Sequence, residues 1–241
     1  MIRFPSTSSP GIYLKLENLQ PIGSFKLRGA ANAMAVAGRD ALSHGVYTAS
    51  AGNMAQGVAW CARELGVPCS VVVPDAAPKT KTDAIERLGG RVVKVSFDEW
   101  WKTLVDRGHA SMNGFFVHPF ADPAVMAGNA TIAAEIFEDV ADVDAIIVPY
   151  GGGGLSCGIA AASREISPLT RVYAVEAETA APVAASFKAG EPTSVQRTPT
   201  FIDGMGSGAV FAEMWPYVRS LISGTIVVSV REITDAVRAL A

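Results

Sequence analysis

The chain has 241 residues, of which 49% are hydrophobic and 18% are charged. This balance is typical of a folded protein and excludes an intrinsically disordered chain. The length is enough to bury the core of one large domain or of two modest ones. The formal net charge of −3 leaves no broad basic surface, so we do not expect nucleic acid as a partner.

The cysteines are too scattered for a metal site and too few for a disulfide framework. They are Cys61, Cys69 and Cys157. The first residues lack the apolar stretch of a signal peptide. No apolar run approaches the ~20 residues that would cross a bilayer. These features predict a soluble, cytoplasmic protein that does not interact with membranes.

Short apolar segments rich in β-branched residues alternate along the chain with longer segments of helical periodicity. The predicted strands span residues 12–17, 45–48, 69–73, 91–95, 115–117, 145–148, 172–175 and 225–230. The predicted helices span residues 25–37, 54–65, 79–88, 97–107, 123–140, 155–166, 180–189 and 231–241. This alternation predicts an α/β architecture, in which mostly parallel sheets are covered by helices.

Four consecutive glycines, Gly151 to Gly154, separate a predicted strand from a predicted helix. Glycine lets the backbone approach a ligand closely, and the N–H groups that open a helix favour negative charge. The turn therefore predicts a phosphate site. Neither the G-x-G-x-x-G pattern of dinucleotide sites nor the G-K-[ST] pattern of nucleoside-triphosphate loops occurs here. A glycine hinge or close helix packing remains the alternative.

Two further segments carry residues that suit a cofactor or substrate site. Lys26 opens a predicted helix between Phe25 and Leu27. Partial burial and the helix dipole would both lower the pKa of its amine and favour a nucleophile. Residues 50–57 are mostly small or amide-bearing and join a strand to a helix, so their N–H groups can bind a carboxylate.

These segments together resemble the serine/threonine dehydratase and serine racemase family, which are fold type II enzymes dependent on pyridoxal 5′-phosphate (PLP). Residues 15–30 resemble the family's lysine motif, residues 50–53 its substrate-carboxylate loop and residues 151–155 its phosphate loop. Residues 117–120 and the pair Asp203-Gly204 also fit the family pattern. The resemblance covers essentially the whole chain, in the family's order.

The resemblance implies two lobes, each built on a mostly parallel sheet flanked by helices. The large PLP-binding lobe would comprise residues 1–32 and 123–241, and the small substrate-side lobe residues 33–122. A late serine- and glycine-rich segment that hydrogen-bonds the pyridine nitrogen in the family has no counterpart in this sequence. We therefore expect a large lobe that is incomplete at its C-terminal end.

The resemblance also implies roles for individual residues. Lys26 would bind PLP as a Schiff base and act as the base at Cα, Phe25 would pack beside the ring, and Asn53 would hydrogen-bond the 3′ oxygen. The phosphate would be held by Gly151, Gly152, Gly153, Gly154 and Leu155. The substrate carboxylate would be held by Ser50, Ala51, Gly52 and Gln56.

Two departures from the family pattern affect the expected chemistry. The resemblance places Ala51 at a position where the family's racemases carry a serine that transfers a proton. Alanine cannot transfer a proton, so this residue favours elimination over racemisation. For a divalent cation, Glu176 and the Ala180 carbonyl are candidate ligands. Pro182 occupies the place of a second carboxylate, which argues against the cation because hard cations prefer several oxygen ligands.

The sequence therefore predicts a PLP-dependent ammonia-lyase that converts L-threonine or L-serine to a 2-oxo acid and ammonia. A non-catalytic or impaired PLP-binding protein or fragment is the main alternative, and a related β-elimination or replacement enzyme or a racemase is a lower one. The expected partner is a small amino acid substrate, and relatives make us expect a homo-oligomer. The sequence does not choose among the hydroxy amino acids.

Overall fold

The computed structural model describes residues 1–3 and 11–240, so residues 4–10 of the predicted large lobe and Ala241 of the last predicted helix lie outside the described residues. Strands and helices alternate along the described part, as predicted. The strands are β1 (Ile2–Arg3), β2 (Tyr13–Leu14), β3 (Val46–Ala49), β4 (Cys69–Pro74), β5 (Arg91–Val95), β6 (Phe115–Phe116), β7 (Ala145–Pro149), β8 (Arg171–Ala177) and β9 (Gly224–Val228). The helices are α1 (Lys26–Ala41), α2 (Asn53–Leu65), α3 (Lys79–Arg87), α4 (Phe97–Val105), α5 (Pro123–Asp139), α6 (Gly154–Ile166), α7 (Pro182–Ala189), α8 (Trp215–Leu221) and α9 (Val230–Leu240).

The chain divides into two compact units, residues 1–129 and residues 130–241. In the first unit a parallel sheet has the order β5-β4-β3-β6, and β1 and β2 form an antiparallel pair. In the second unit β7, β8 and β9 form a parallel sheet in that order. The predicted α/β class with parallel sheets flanked by helices is confirmed. The assignment of residues 1–32 and 123–241 to one lobe and 33–122 to the other stays a prediction.

The core of the first unit lies around the central strands of its sheet. Val71, Val72 and Val73 of β4 are fully buried, because side chains on both faces of an inner parallel strand are covered. Helix α2 lies on this sheet and against α1, and its face of Ala55 and Val58 is also fully buried. Burying one such valine contributes about 1.5 kcal/mol or more, so this packing fixes the loops at the carboxyl ends of the strands.

The core of the second unit repeats this arrangement. Ile146 and Val148 of β7 point to the same face as Val172 and Ala174 of β8, and all four are buried. Helix α6 covers the sheet with a buried face that includes Ile159. The turn between β7 and α6, which contains the glycine run, is therefore anchored by packed elements at both ends.

Three local predictions were wrong for identifiable reasons. The strand predicted over residues 12–17 is limited to β2, because residues Glu17–Leu19 form a 3-10 turn. The helix predicted from residue 180 begins at Pro182, whose fixed φ and missing N–H suit the first turn of a helix. Helix α8 was not predicted, since seven residues give too short a periodic pattern.

Of the helices in the described ranges, none is both long and apolar enough to span a bilayer.

Candidate active site

Helix α1 begins at Lys26, in the first unit. The backbone N–H of Lys26 donates to Ser24 Oγ at 3.3 Å, and that of Arg28 donates to the Phe25 carbonyl at 2.9 Å. These bonds satisfy two of the N–H groups that have no partner within a helix's first turn. The helix start predicted at residue 25 is correct to within one residue, and the lysine side chain leaves from the N-terminal end of the helix.

The Lys26 amine is held by a backbone carbonyl. Nζ donates to the Pro119 oxygen at 2.7 Å and lies 5.3 Å from the centre of the Phe25 ring. The side chain as a whole is half-buried. Burial lowers the pKa of the amine from 10.5 to about 8, because an ammonium ion loses solvation there. The amine can therefore be neutral near physiological pH and act as a nucleophile or a base.

The start of α1 is also fixed by an ion pair on its other side. The Arg28 guanidinium donates through Nε and Nη2 to the two carboxylate oxygens of Glu17, at 2.8 and 3.0 Å. Gln20 donates to the same carboxylate at 3.3 Å. Both charged side chains are mostly buried, with exposed fractions of 14% and 16%. A two-pronged pair of this kind restricts orientation as well as distance, so it limits how α1 can rotate.

Close glycine contacts bring two other helices against the first turn of α1. A Cβ added to Gly57 of α2 would lie 3.2 Å from the Lys26 carbonyl oxygen. A Cβ added to Gly128 of α5 would lie 2.3 Å from the Arg28 carbonyl oxygen. Only glycine allows such an approach of two backbones. The helices α2 and α5 therefore confine the backbone from which the Lys26 side chain projects.

The predicted carboxylate loop joins β3 to α2. The Ser50 N–H donates to the Val72 carbonyl at 3.2 Å, which ties the loop to β4. The Gly52 N–H donates to Ser50 Oγ at 3.2 Å, and Gln56 makes the first backbone bond of the helix, to the Gly52 carbonyl at 3.3 Å. Helix α2 begins at Asn53, one residue before the predicted start. The N–H groups of its first turn lie at the N-terminal end of the helix, where the helix dipole favours a negative charge.

The side chains of this loop differ in exposure. Asn53 is exposed, whereas Ser50, Ala51, Gly52 and Gln56 are half-buried. The Ala51 methyl packs against the core of the first unit. The Asn53 amide is thus accessible to a ligand, and the backbone around Ala51 is held by the core.

The glycine run in the second unit opens helix α6. Gly153 has φ +93°, a left-handed conformation that favours glycine, and Gly154 is the first helical residue, one position before the predicted start. The Cys157 N–H donates to the Gly153 carbonyl at 2.9 Å, and Ser156 Oγ donates to the same oxygen at 3.3 Å. The turn has the backbone form predicted for an anion-binding helix start.

Tyr150 lies beneath this turn. A Cβ added to Gly153 would be 3.1 Å from the Tyr150 hydroxyl and 3.2 Å from Met214 Cε, so a side chain at Gly153 would meet packed atoms. The Tyr150 side chain is buried, with an exposed fraction of 1%. Burial raises the pKa of its phenol well above the usual range. The Tyr150 carbonyl accepts from the Gly206 N–H at 3.3 Å, which ties a second glycine-containing loop to the turn.

Glu176, a predicted cation ligand, lies buried in β8. Its carboxylate accepts from the N–H groups of Val183 at 2.7 Å and Ala184 at 2.9 Å, and from the Thr225 hydroxyl at 3.0 Å. Burial raises the pKa of this carboxyl, and the three hydrogen bonds oppose the rise. Across residues 1–3 and 11–240, no group of three or more His, Cys, Asp or Glu side chains could hold a metal. The two N–H donors lie in the first turn of α7, so the Glu176 carboxylate caps this helix. The cation site with Ala180 stays a prediction.

The structure adds two elements that the sequence reasoning did not assign to the site. The Pro119 carbonyl contacts the Lys26 amine, and Tyr150 supports the glycine turn. Residues 117–120 stand out in the sequence only as part of a family pattern. A carbonyl is present at every position, so residue type alone cannot reveal which one points at a lysine.

The chain is similar to known proteins over most of its length. The sequence model of a family described as "Pyridoxal-phosphate dependent enzyme" matches residues 2–241. The L-threonine ammonia-lyase of Geobacter sulfurreducens is 43% identical over 231 residues, which are 95% of this chain and 57% of that protein. The catabolic L-threonine dehydratase TdcB of Escherichia coli K12 is 41% identical, over 95% of this chain and 70% of that protein.

A solved structure of maize serine racemase superimposes with a TM-score of 0.86 and 34% sequence identity. The match covers 93% of this chain and 68% of the maize chain. The fold type II architecture expected from the sequence is thereby confirmed. The chain spans only 57% of the length of the Geobacter relative.

Proposed function

The chain belongs to the family of pyridoxal-phosphate-dependent enzymes, and on that premise we propose that it is an ammonia-lyase acting on L-threonine or L-serine. The products would be a 2-oxo acid and ammonia. The observation that carries the proposal is the amine of the half-buried Lys26 side chain, which is hydrogen-bonded to the Pro119 carbonyl and has a pKa lowered to about 8. The threonine ammonia-lyases and dehydratases at about 40% identity support the reaction class.

The residues present fit PLP by the chemistry of their donors. Lys26 offers a primary amine with a lowered pKa for the aldehyde, and the turn at Gly151–Leu155 offers helix-opening N–H groups for the phosphate. We assign Phe25 to the ring and the exposed Asn53 amide to the 3′ oxygen. When bound, PLP withdraws electrons from the Cα of an amino acid and so acidifies its Cα–H bond.

The proton transfer at Cα falls to Lys26. With a pKa of about 8, about a quarter of the amines are neutral at pH 7.5, against about one in a thousand at the ordinary value of 10.5. A neutral amine can accept the Cα proton, and the resulting ammonium can donate it again. The Pro119 carbonyl orients the amine through both states, since it accepts a hydrogen bond from either form.

The substrate carboxylate is assigned to the start of α2. The N–H groups around Gly52 and Asn53 open this helix, and the helix dipole favours an anion there. Ser50 and Gln56 flank the same turn and offer polar side chains. The loop is tied to β4 through the Ser50 N–H, so its N–H groups are oriented before a ligand arrives, which lowers the entropic cost of binding.

Racemisation is the second candidate, because serine racemase is close in structure. Inverting Cα requires a proton donor or acceptor on the face of Cα opposite Lys26. Ala51 offers no titratable group, and its methyl packs into the core. We therefore propose elimination as the main reaction. Our expectations of a homo-oligomer and of a cytoplasmic location stay predictions.

The cofactor assignment is tested by adding PLP to the purified chain and recording its absorbance. We expect a band near the visible edge that is absent from a Lys26→Ala variant. No band in the parent would contradict the proposal. Lys188→Ala is a matched control, because this lysine lies at the C-terminal end of α7 and its loss should leave the band unchanged.

The reaction is tested by incubating the PLP-loaded chain with L-threonine and with L-serine and measuring 2-oxo acid release. We expect turnover well above the Lys26→Ala variant. A PLP band without turnover would instead favour a non-catalytic PLP-binding protein. Formation of D-serine from L-serine at a rate above that of 2-oxo acid release would favour the racemase.

A further inference from the structure

The segment after β6 contains a histidine to which the proposed function assigns no role. His118 is buried, with an exposed fraction of 2%, and it comes directly before the proline whose carbonyl holds the Lys26 amine. Its ring meets Phe116 and Phe120 edge-on, with centroid distances of 6.0 and 4.7 Å. Such packing restricts rotation of the ring.

The Nδ1 atom of His118 accepts two backbone hydrogen bonds. The Ala121 N–H donates to it at 2.9 Å and the Phe120 N–H at 3.3 Å. An imidazole nitrogen that accepts cannot carry a proton, so the ring proton is assigned to Nε2. His118 thus closes the turn over residues 118–121 through its own side chain.

The turn is also held from outside. The Ala121 carbonyl accepts a hydrogen bond from Arg107 Nη2. Asp122 Oδ1 accepts from the N–H groups of Ala124 at 2.8 Å and Val125 at 3.2 Å, and so caps α5. These contacts fix the downstream end of the turn.

One peptide plane connects His118 to the lysine. The Pro119 carbonyl and the Phe120 N–H belong to the same peptide group, and in a planar trans peptide they point in opposite directions. The N–H points to His118 Nδ1, so the carbonyl is directed to the other side, where it accepts from Lys26 Nζ. A peptide that donates on one side is also polarised into a better acceptor on the other.

We propose that His118 is a positioning residue for Lys26, which acts by orienting the Pro119–Phe120 peptide so that its carbonyl holds the lysine amine. His118 does not touch the amine itself. Without the Nδ1 acceptor the peptide can rotate, and the amine loses the carbonyl that favours its charged form. The pKa of Lys26 then falls further, because burial is no longer opposed. The inference rests on the proposed function only for the identity of Lys26 as the reactive group.

Two substitutions of His118 distinguish the effect of its hydrogen-bond acceptor from the effect of its ring packing. His118→Asn keeps an acceptor, because Oδ1 is bonded to Cγ as Nδ1 is, but it loses the ring that packs on Phe116 and Phe120. His118→Phe keeps an aromatic ring and loses the acceptor. A role in packing alone predicts that the asparagine variant is the more impaired, whereas a positioning role predicts the reverse.

The test measures the reactivity of the Lys26 amine directly. The parent chain and both variants, without added PLP, are labelled with acetic anhydride over a range of pH, and acetylation of Lys26 is followed by peptide mass spectrometry. We expect the midpoint of labelling to fall by about half a pH unit or more in His118→Phe and to stay near that of the parent in His118→Asn. Circular dichroism and urea unfolding confirm that each variant is folded, and His118→Leu, which also lacks an acceptor, replaces His118→Phe if that variant does not fold.

Equal midpoints in all three proteins, or an equal change in both variants, would overturn the proposal. Labelling does not depend on PLP, so this failure is distinct from failure of the proposed function. If the parent gives no PLP band but the phenylalanine variant alone changes its labelling midpoint, the positioning role holds and the cofactor assignment fails. The Phe116→Leu variant, which removes only a ring neighbour of His118, should keep the parent midpoint.

Discussion

Replacing Lys26, the proposed reactive lysine, with methionine should stabilise the protein. At pH 7 the folded chain without PLP holds the Lys26 ammonium in a site that lowers its pKa to about 8. The unfolded chain has no such site, so its lysine keeps the ordinary pKa of 10.5. Lys26→Met has a side chain of similar length without the charge. The substitution therefore removes the cost of an ammonium that is poorly solvated.

The magnitude follows from the two pKa values. A decrease from 10.5 to about 8 corresponds to about 3 kcal/mol of unfavourable free energy at pH 7. Methionine leaves the Pro119 carbonyl without its donor, which costs about 1 kcal/mol. We expect a net gain in the free energy of unfolding of about 2 kcal/mol. A stabilising change at a reactive residue is the usual sign of a site that trades stability for activity.

The stability difference between Lys26→Met and the parent should depend on pH. Between pH 8 and pH 10.5 the unfolded parent binds the lysine proton while the folded parent does not, so parent stability rises with pH relative to the variant. Comparing pH 7 with pH 10, we expect the advantage of Lys26→Met to shrink by about 2.5 kcal/mol.

The measurement is urea unfolding of both proteins at each pH, without PLP. An advantage that does not change with pH would refute the reasoning. So would a parent that is the more stable protein at pH 7. Lys79→Met serves as the control, since that lysine is 85% exposed and should give only a small change.

Three further outcomes follow from the packing. Gly153→Ala should destabilise the chain by about 1–2 kcal/mol and weaken the PLP band. Gly190→Ala is the control, because Gly190 has a similar positive φ but open space around it, and its band should not change. Equal bands in the two variants would contradict the role of the glycine turn. Glu17→Gln should lower the free energy of unfolding by about 2 kcal/mol, because the ion pair with Arg28 is lost. The loss should be similar at low salt and in 1 M salt, and a smaller loss in 1 M salt would contradict the burial of the pair. Thiol reagents at pH 8 should react slowly with the folded chain and quickly in urea, because burial raises the pKa of each thiol to about 12, and fast reaction of the folded chain would show that the thiols are accessible. These thiols are Cys61, Cys69 and Cys157.

The order of the elements and the candidate groups of the site could be predicted from the sequence. Strand–helix alternation depends on local periodicity, which is written into the side chains, and the α/β class follows from it. Lys26 and the glycine run could be found because a helix start with a lysine, or with consecutive glycines, is an unusual local pattern. Predicted and observed helix starts at these positions agree to within one residue.

What surrounds those groups depends on contacts between residues that are distant in the chain. The carbonyl that holds Lys26 comes from Pro119, 93 residues away, and the approach of α5 to α1 depends on Gly128. A backbone carbonyl carries no residue-type signal, and the direction of a peptide plane is decided by its hydrogen-bond partners. The sequence by itself therefore determined the α/β class and the candidate groups of the site, whereas only the tertiary structure decided that the Pro119 carbonyl faces the lysine, that the next peptide N–H points to His118, and that burial lowers the pKa of the amine to about 8.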